Sequence, residues 1–147
     1  MIVIAHNIRS LHNVGAIFRS CDAFGVERLY LTGFTGTPPR LEIAKTALGS
    51  EDRVVWEKPT NVFEAIGAVR RDGYTVVALE NGVGARAIGS IGGKVALILG
   101  NEVDGIESSV LSSCDETVEI PMPGQKRSLN VSVATGIALF VLSQKTP

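Results

Sequence analysis

Short apolar runs alternate along the chain with segments that have helical periodicity. The β-branched content of six runs predicts strands over residues 2–5, 28–33, 53–56, 74–80, 94–100 and 117–122. The spacing of apolar positions predicts helices over 13–24, 40–48, 61–71 and about 129–144, with shorter turns near 83–88 and 105–112. Strands separated by helical segments are typical of a mostly parallel sheet flanked by helices, so the pattern predicts a single α/β domain over residues 1–147.

The fifth apolar run, "KVALILG" (94–100), has no alternation of apolar and polar residues. It therefore predicts a central strand that is buried on both faces. Ligands of such sheets bind beyond the carboxyl ends of the strands. Polar stretches follow the first, fourth, fifth and sixth predicted strands, namely "HNIRS", "NGVGARA", "GNEVDG" and "PMPGQKRSLN". We therefore expect the functional site at this edge of the sheet.

The helix over 13–24 carries an arginine on the side opposite its apolar stripe. The neighbours of Arg19 on that side are Gly15, Ala16 and Ala23, so the surface around it is nearly bare. From these residues alone, Arg19 is either an ordinary exposed arginine or a group that meets a closely approaching ligand.

The last helix is apolar on nearly every side, although Asn130, Ser132 and Thr135 interrupt the pattern. A helix without a polar face is buried all round, either in the core or against a second copy of the chain, and we favour a dimer. Ser128 is the predicted N-cap. Asn130, a poor helix former in a first turn, is expected to face a ligand or a polar group across the interface.

Composition narrows the class of protein. Hydrophobic residues make up 45% of the 147 residues, which is typical of a globular domain. The N-terminus does not resemble a signal peptide, and the most apolar stretch, 136–142, is too short to cross a bilayer. Cys21 and Cys114 have no metal-ligand spacing, so we expect reduced thiols in a cytoplasmic protein. A net charge of −1 argues against coating nucleic acid by charge alone, but it allows a local basic patch.

One glycine-rich stretch resembles a dinucleotide fingerprint. "GVGARA" (82–87) fits Gly-x-Gly-x-x-Ala, and Glu102 follows twenty residues after Gly82. The match lies on the fourth predicted strand, however, and the residues after it are too rich in glycine for the helix that should receive a pyrophosphate. A dinucleotide-binding oxidoreductase is therefore the less favoured alternative, and the chain contains no P-loop pattern.

Three stretches together resemble one family. "NIRSLHNVGAIFRSCDAFGVERLYLTG" (7–33), "ALILGNEVDGI" (96–106) and "IPMPGQKRSLNVSVATGIALF" (120–140) are similar, in order and spacing, to the SpoU (TrmH) family of RNA ribose 2'-O-methyltransferases. The resemblance implies a C-terminal deep trefoil knot, a bound S-adenosylmethionine, no metal, and an active site formed across a homodimer.

The motif positions of that family can be assigned to residues of this chain. The resemblance implies that catalytic roles fall on Asn13, Arg19, Glu102, Ser128 and Asn130. It implies that the cofactor loops are those around Leu79, Gly100, Ile120, Met122 and Leu129. Phosphate contacts are expected from Arg9, Lys126 and Arg127. His6 and His12 are expected to be loop residues that contact RNA, and Asn13 is also a candidate helix cap.

The implied reaction is attack by a ribose 2'-hydroxyl on the sulfonium methyl group. A guanidinium is a poor base, so we expect Arg19 to donate hydrogen bonds to the developing alkoxide and a phosphate. Transfer RNA and ribosomal RNA are both candidate substrates, and RNA recruitment depends on the dimer alone or on an accessory protein. A non-catalytic knot protein that binds RNA or the cofactor is the second alternative.

Overall fold

The computed structural model describes residues 1–82 and 84–144, and within them the chain forms one sheet flanked by helices. The strands are β1 (Ile2–His6), β2 (Arg28–Thr32), β3 (Trp56–Glu57), β4 (Thr75–Leu79), β5 (Arg86–Ala87), β6 (Val95–Leu99) and β7 (Glu116–Glu119). The helices are α1 (Leu11–Ala23), α2 (Leu41–Ala47), α3 (Ser50–Arg53), α4 (Val62–Arg71), α5 (Ser108–Leu111) and α6 (Val131–Ser143). The strand order is β3-β2-β1-β6-β4-β7-β5, and all neighbouring strands are parallel. The predicted mostly parallel α/β sheet is thus confirmed.

Strand β6 lies in the middle of the sheet, between β1 and β4. All five of its residues are buried, which confirms the prediction from its continuous apolar run. Alternate side chains of the strands form two separate cores. Val3 and Leu97 belong to the core beneath α1, α2 and α6, whereas Ile4 and Ile98 belong to the core beneath α4.

Two local predictions were wrong. The predicted strand over 53–56 begins only at Trp56, because residues 50–53 form helix α3. Asp22 of α1 accepts hydrogen bonds from Ser50 Oγ at 2.9 Å and from Arg53 Nε at 2.8 Å, and these contacts hold the turn in place. The predicted turn near 83–88 contains the short strand β5, since Arg86 and Ala87 pair with β7.

Helices α1 and α6 begin at other residues than predicted. The cap of α1 is Ser10, whose Oγ accepts from the Asn13 amide at 3.2 Å, so the capping role expected for Asn13 is wrong. The cap of α6 is Asn130 rather than Ser128, because Asn130 Oδ1 accepts from the Ser132 amide at 2.8 Å. The Asn130 side chain therefore stabilises the helix start, as asparagine does at many N-caps.

Helix α6 is only partly covered by its own chain. Thr135, Ala138 and Leu139 are buried, and the ring of Phe140 contacts Phe24, the C-cap of α1, edge-on at 6.3 Å between centroids. Among the described residues, apolar side chains of the helix are exposed at Val133 and Ile137, and Phe140 remains 55% exposed despite its contact with Phe24. No helix in the described ranges is long and apolar enough to span a membrane. The trefoil knot over the C-terminal segment stays a prediction.

Gly15 allows α1 to approach α2 closely. A Cβ atom at this position would lie 2.1 Å from Thr46 Oγ1 and 2.2 Å from the Ile43 carbonyl oxygen. We expect Gly15→Ala to lower the free energy of unfolding by about 1–3 kcal/mol, because α2 must move away. Urea unfolding of the wild type and of Gly15→Ala would measure this difference in free energy. Gly67→Ala, in α4, is the control. A Cβ at Gly67 meets only Arg71 Nη1, at 3.4 Å, so alanine should leave stability unchanged or raise it by up to about 1 kcal/mol. Equal effects of the two substitutions would contradict the close approach.

Candidate active site

A cleft of about 400 Å³ lies beyond the carboxyl ends of β4 and β6. It is formed by the loop after β4, the loop after β6 and the segment between β7 and α6. All five residues predicted for the cofactor loops line it: Leu79, Gly100, Ile120, Met122 and Leu129. Ser128, one of the predicted catalytic residues, also lines this cleft. The structure thus places a cleft where the strand-end argument expects the site.

The loop after β6 has a tightly defined shape. Asn101 Oδ1 accepts hydrogen bonds from the amides of Val103 and Asp104, both at 2.9 Å, and Asn101 also bridges to Gly105 through the backbone. A Cβ on Gly100 would lie 2.7 Å from the carbonyl carbon of Gly105, so only glycine permits this turn. The loop wall that faces the cleft is therefore preformed.

Hydrogen bonds also join this loop to its neighbours. Glu80, at the end of β4, accepts from the Ile106 amide at 2.8 Å. Asn101 Nδ2 donates to the Asn7 carbonyl at 2.8 Å, which ties the loop to the residues after β1. Asn81 Nδ2 donates to the Arg127 carbonyl at 2.7 Å and so holds the segment before α6 against the loop after β4. The sequence predicted none of these three roles, because each partner is remote along the chain.

The carboxylate of Glu102 binds the start of α1. It accepts from the amides of Arg9 and Ser10, both at 2.8 Å, and from Asn13 Nδ2 at 3.1 Å. Partial burial raises the pKa of Glu102, but the hydrogen bonds from Arg9, Ser10 and Asn13 outweigh it and hold the pKa below its ordinary value. The positive end of the α1 dipole favours the same ionised form.

A second cavity of about 430 Å³ adjoins the first at Glu102. Its lining comes from the residues before α1, from α1, from the loop after β6 and from the start of α6: Arg9, Ser10, Asn13, Glu102, Leu129, Asn130 and Val131. Glu102, Leu129 and Val131 line both cavities. Three of the predicted catalytic residues, Asn13, Glu102 and Asn130, therefore come together at this junction.

Arg19 is not brought to this junction within one chain. It is exposed on α1, lines neither cavity, and makes no hydrogen bond or ion pair with any residue in 1–82 and 84–144. The expectation of a bare surface around Arg19 is only partly correct. Ala23 is exposed, but Gly15 is covered by α2. The adjacent Ser20 packs towards α6, where a Cβ on Gly136 would lie 3.7 Å from Ser20 Oγ.

The predicted phosphate contacts and histidines differ in exposure. Arg9, Lys126 and Arg127 are exposed, and Arg9 lines the second cavity. His12 is exposed in the first turn of α1. The expectation that both histidines are loop residues is wrong, whereas their contact with RNA stays a prediction. His6 is the last residue of β1, 6% exposed, with its ring nitrogens 2.9 Å from Thr32 Oγ1 and 2.8 Å from Glu107 Oε1.

The described residues give little support to metal, thiolate or dinucleotide chemistry. No group of three His, Cys, Asp or Glu residues in the described part of the chain could hold a metal ion. Burial raises the pKa of Cys114 to about 11, which disfavours a reactive thiolate. Of the stretch 82–87, Val83 lies outside the described residues. Between β5 and β6 the structure describes no helix that could receive a pyrophosphate, which argues against the dinucleotide reading.

Known proteins are similar to this chain in both sequence and fold. A 23S rRNA (guanosine-2'-O-)-methyltransferase from Xanthomonas axonopodis pv. citri is 33% identical over 141 residues, covering 95% of this chain and 57% of the relative. A tRNA (guanosine(18)-2'-O)-methyltransferase from Aquifex aeolicus is 36% identical over 143 residues, covering 95% of this chain and 67% of the relative. This chain thus spans a little over half the length of the rRNA relative.

Solved structures superpose closely on this chain, and one family model matches most of its sequence. An AdoMet-bound rRNA methyltransferase from Sinorhizobium meliloti superposes with a TM-score of 0.87 at 31% identity, covering 95% of this chain and 54% of that one. The TrmH/SpoU tRNA modifying enzyme of A. aeolicus superposes with a TM-score of 0.85 at 32% identity, covering 97% and 73%. The pattern of the SpoU rRNA Methylase family matches residues 1–140, and this chain therefore belongs to that family.

Proposed function

We propose that this chain transfers a methyl group from S-adenosylmethionine to a ribose 2'-hydroxyl of RNA. The observation that carries the proposal is the junction of two cavities at Glu102, one lined by the five expected cofactor residues and the other by Asn13 and Asn130. The relatives named above support the same reaction. A two-cavity arrangement suits a transfer reaction, because the donor and the acceptor must meet at one point.

The first cleft fits the cofactor in size and lining. A volume of about 400 Å³ falls in the usual range for small-molecule pockets. Leu79, Ile120, Met122 and Leu129 offer apolar surface for an adenine ring, and the surrounding loops offer backbone amides and carbonyls. When bound, the cofactor supplies an activated methyl group on a sulfonium, so the protein's task is alignment and exclusion of water.

The residues at the junction keep the two cavities in register. Glu102 joins the loop that lines the cofactor cleft to the backbone before α1, where Arg9 lines the second cavity. Asn13 donates to the same carboxylate, and Asn130 caps the helix that closes the opposite side. The proposed role of these three residues is positioning. Their hydrogen bonds fix where the ribose and the methyl group meet.

The open face of α6 supports a homodimer. Val133, Ile137 and Phe140 are exposed apolar residues on a helix whose buried residues, Ala138 and Leu139, belong to the core beneath α1. A two-fold contact through this face would cover them, and it would bring the exposed Arg19 of α1 to the cleft of the partner subunit. This would account for an arginine that reaches neither cavity of its own chain. Recruitment of RNA by an accessory protein is the alternative to recruitment by the dimer itself.

The dimer makes a direct prediction. Val133→Glu places a charge in the proposed interface, and we expect it to shift the protein from dimer to monomer in sedimentation equilibrium and to abolish methyl transfer. Phe63→Glu, at an exposed apolar residue in the first turn of α4, is the control that should stay dimeric. A wild-type protein that sediments as a monomer at all concentrations would contradict the proposed interface.

The reaction itself is tested by methyl transfer from labelled S-adenosylmethionine to total tRNA and, separately, to rRNA. The products are digested with alkali, which cannot cleave beside a 2'-O-methylated ribose. Label in alkali-resistant dinucleotides is the expected result, and the pool that carries it identifies the substrate class. Cofactor binding without transfer to either pool would favour the non-catalytic alternative. Absence of cofactor binding would refute the proposed function.

A further inference from the structure

Phe34 is an aromatic side chain held in solvent at the same edge of the sheet as the two cavities. It lies in the loop between β2 and α2, two residues after β2 ends, and it is 61% exposed. Exposure of a single apolar residue is common on protein surfaces. What distinguishes Phe34 is the rigidity of the loop that presents it.

Hydrogen bonds fix the residue on each side of Phe34. Lys58 Nζ donates to the carbonyls of Gly33, at 2.6 Å, and of Thr35, at 2.8 Å. The amide of Phe34 itself donates to Asn7 Oδ1 at 3.1 Å. Thr35 is 2% exposed, and its hydroxyl donates to the Ala5 carbonyl at 3.0 Å. Because Thr35 is buried and Lys58 binds the carbonyls on both sides of Phe34, the backbone is fixed at a position that leaves the Phe34 ring in solvent.

The same loop is connected to the candidate active site. Thr35 Oγ1 accepts from the Ile8 amide at 3.0 Å, and the next residue, Arg9, donates its amide to Glu102. Gly36 lies against Leu11 at the start of α1, where a Cβ would come within 2.3 Å of Leu11 Cδ2. The loop that carries Phe34 is therefore bound to the segment before α1, whose Arg9 and Ser10 line the second cavity.

We propose that Phe34 is a stacking platform for an RNA base next to the methylated nucleotide. The inference rests on the proposed function and adds a contact to it. A fixed aromatic ring stacks on an unpaired base with little loss of conformational entropy, and it accepts every base because each has a π face. The exposed Arg9, on the segment to which this loop is bound, suits a phosphate beside that base. Glu107, which follows the cofactor loop, is engaged by His6 and Asn7.

The test compares the KM for RNA across substitutions at position 34. Base–aromatic stacking predicts a rise in KM for RNA of about 5- to 150-fold in Phe34→Ala, with the KM for S-adenosylmethionine unchanged. Phe34→Trp should keep or lower the KM, whereas Phe34→Leu, which retains apolar area without a ring, should resemble alanine. The control is Leu48→Ala, which removes a side chain that is 60% exposed just after α2. It should leave the KM for RNA unchanged.

The outcomes separate this inference from the proposed function. Methyl transfer by the wild type with equal KM for RNA in Phe34→Ala and Leu48→Ala would overturn the stacking role alone. If the wild type transfers no methyl group, binding of a ten-nucleotide oligoadenylate, followed by fluorescence anisotropy, decides the matter. Weaker binding by Phe34→Ala then supports the platform, and equal or absent binding refutes it. A change in sedimentation of Phe34→Ala would assign the ring to a protein contact and also refute it.

Discussion

Arg19→Ala is expected to lower kcat for methyl transfer by about 10²- to 10³-fold, the usual cost of removing one donor to a developing oxyanion. The attacking 2'-hydroxyl gains negative charge as it reaches the methyl group, and a guanidinium fork can donate to that oxygen and to the adjacent phosphate. The KM for S-adenosylmethionine should not change, because the proposed partners of Arg19 are the ribose oxygen and a phosphate of the RNA and not the cofactor. Steady-state kinetics with the labelled cofactor and the responsive RNA pool measure both values.

Two further variants make this result specific. Arg19→Lys keeps the charge but loses the planar fork, so we expect turnover well below wild type, and near-normal turnover would contradict a bidentate role. Arg71→Ala removes an exposed arginine at the end of α4, on the other side of the sheet, and should leave kcat unchanged.

Mixed dimers show which subunit uses Arg19. If Arg19 serves the cleft of the partner subunit, a dimer of Arg19→Ala with Gly100→Val contains one intact site. The Gly100 substitution blocks the tight turn in the cofactor loop. Random mixing of the two inactive variants would then restore about a quarter of wild-type activity, since half of the dimers are mixed and each has one working site of two. No recovery would place Arg19 in the site of its own chain.

The sequence predicts well those features that depend on residues close together in the chain. The unbroken apolar run of β6 identifies the central strand, and the polar stretches after the strands identify the edge that carries both cavities. Contacts between distant segments are not visible in such patterns. The cover that α2 gives to Gly15 and the role of Asn101 in joining two loops became apparent only with the fold.

The helix caps show a second limit. Ser10 and Asn13 are both good capping residues, and so are Ser128 and Asn130. Local preference cannot choose between them, because tertiary contacts decide where the helix begins. Asn13 is drawn to Glu102, and the Arg127 carbonyl is held by Asn81, so α1 and α6 are capped at Ser10 and Asn130 instead.

Glu102→Gln is expected to reduce kcat/KM for RNA by about 100-fold, because displacement of a reactant by roughly 1 Å has a cost of that size. The carboxylate receives three hydrogen bonds through two oxygens, whereas a glutamine has one acceptor oxygen and an amide that would face the donors at Arg9 or Ser10. The loop after β6 and the start of α1 would then separate, and the two cavities would lose their alignment. Asp52→Asn removes an exposed charge from α3, which lines neither cavity, and should have a much smaller effect.

The pH dependence of stability gives an independent measure of the same contact. The pKa of Glu102 in the folded protein is lowered, since the hydrogen bonds from Arg9, Ser10 and Asn13 outweigh burial, which raises it. Its stabilisation is therefore fully present above the ordinary carboxyl pKa and is lost as the pH falls through the lower, folded value.

We expect the wild type to exceed Glu102→Gln in free energy of unfolding by about 1–2 kcal/mol at pH 7. In urea titrations this difference should hold down to about pH 5 and shrink below about pH 4, near the ordinary carboxyl pKa. The difference between the two free energies of unfolding cancels the contributions of Asp22, Glu27 and Asp115, whose pKa values are also lowered. A difference that grows on acidification would mean that the protonated form of Glu102 is the one bound to α1.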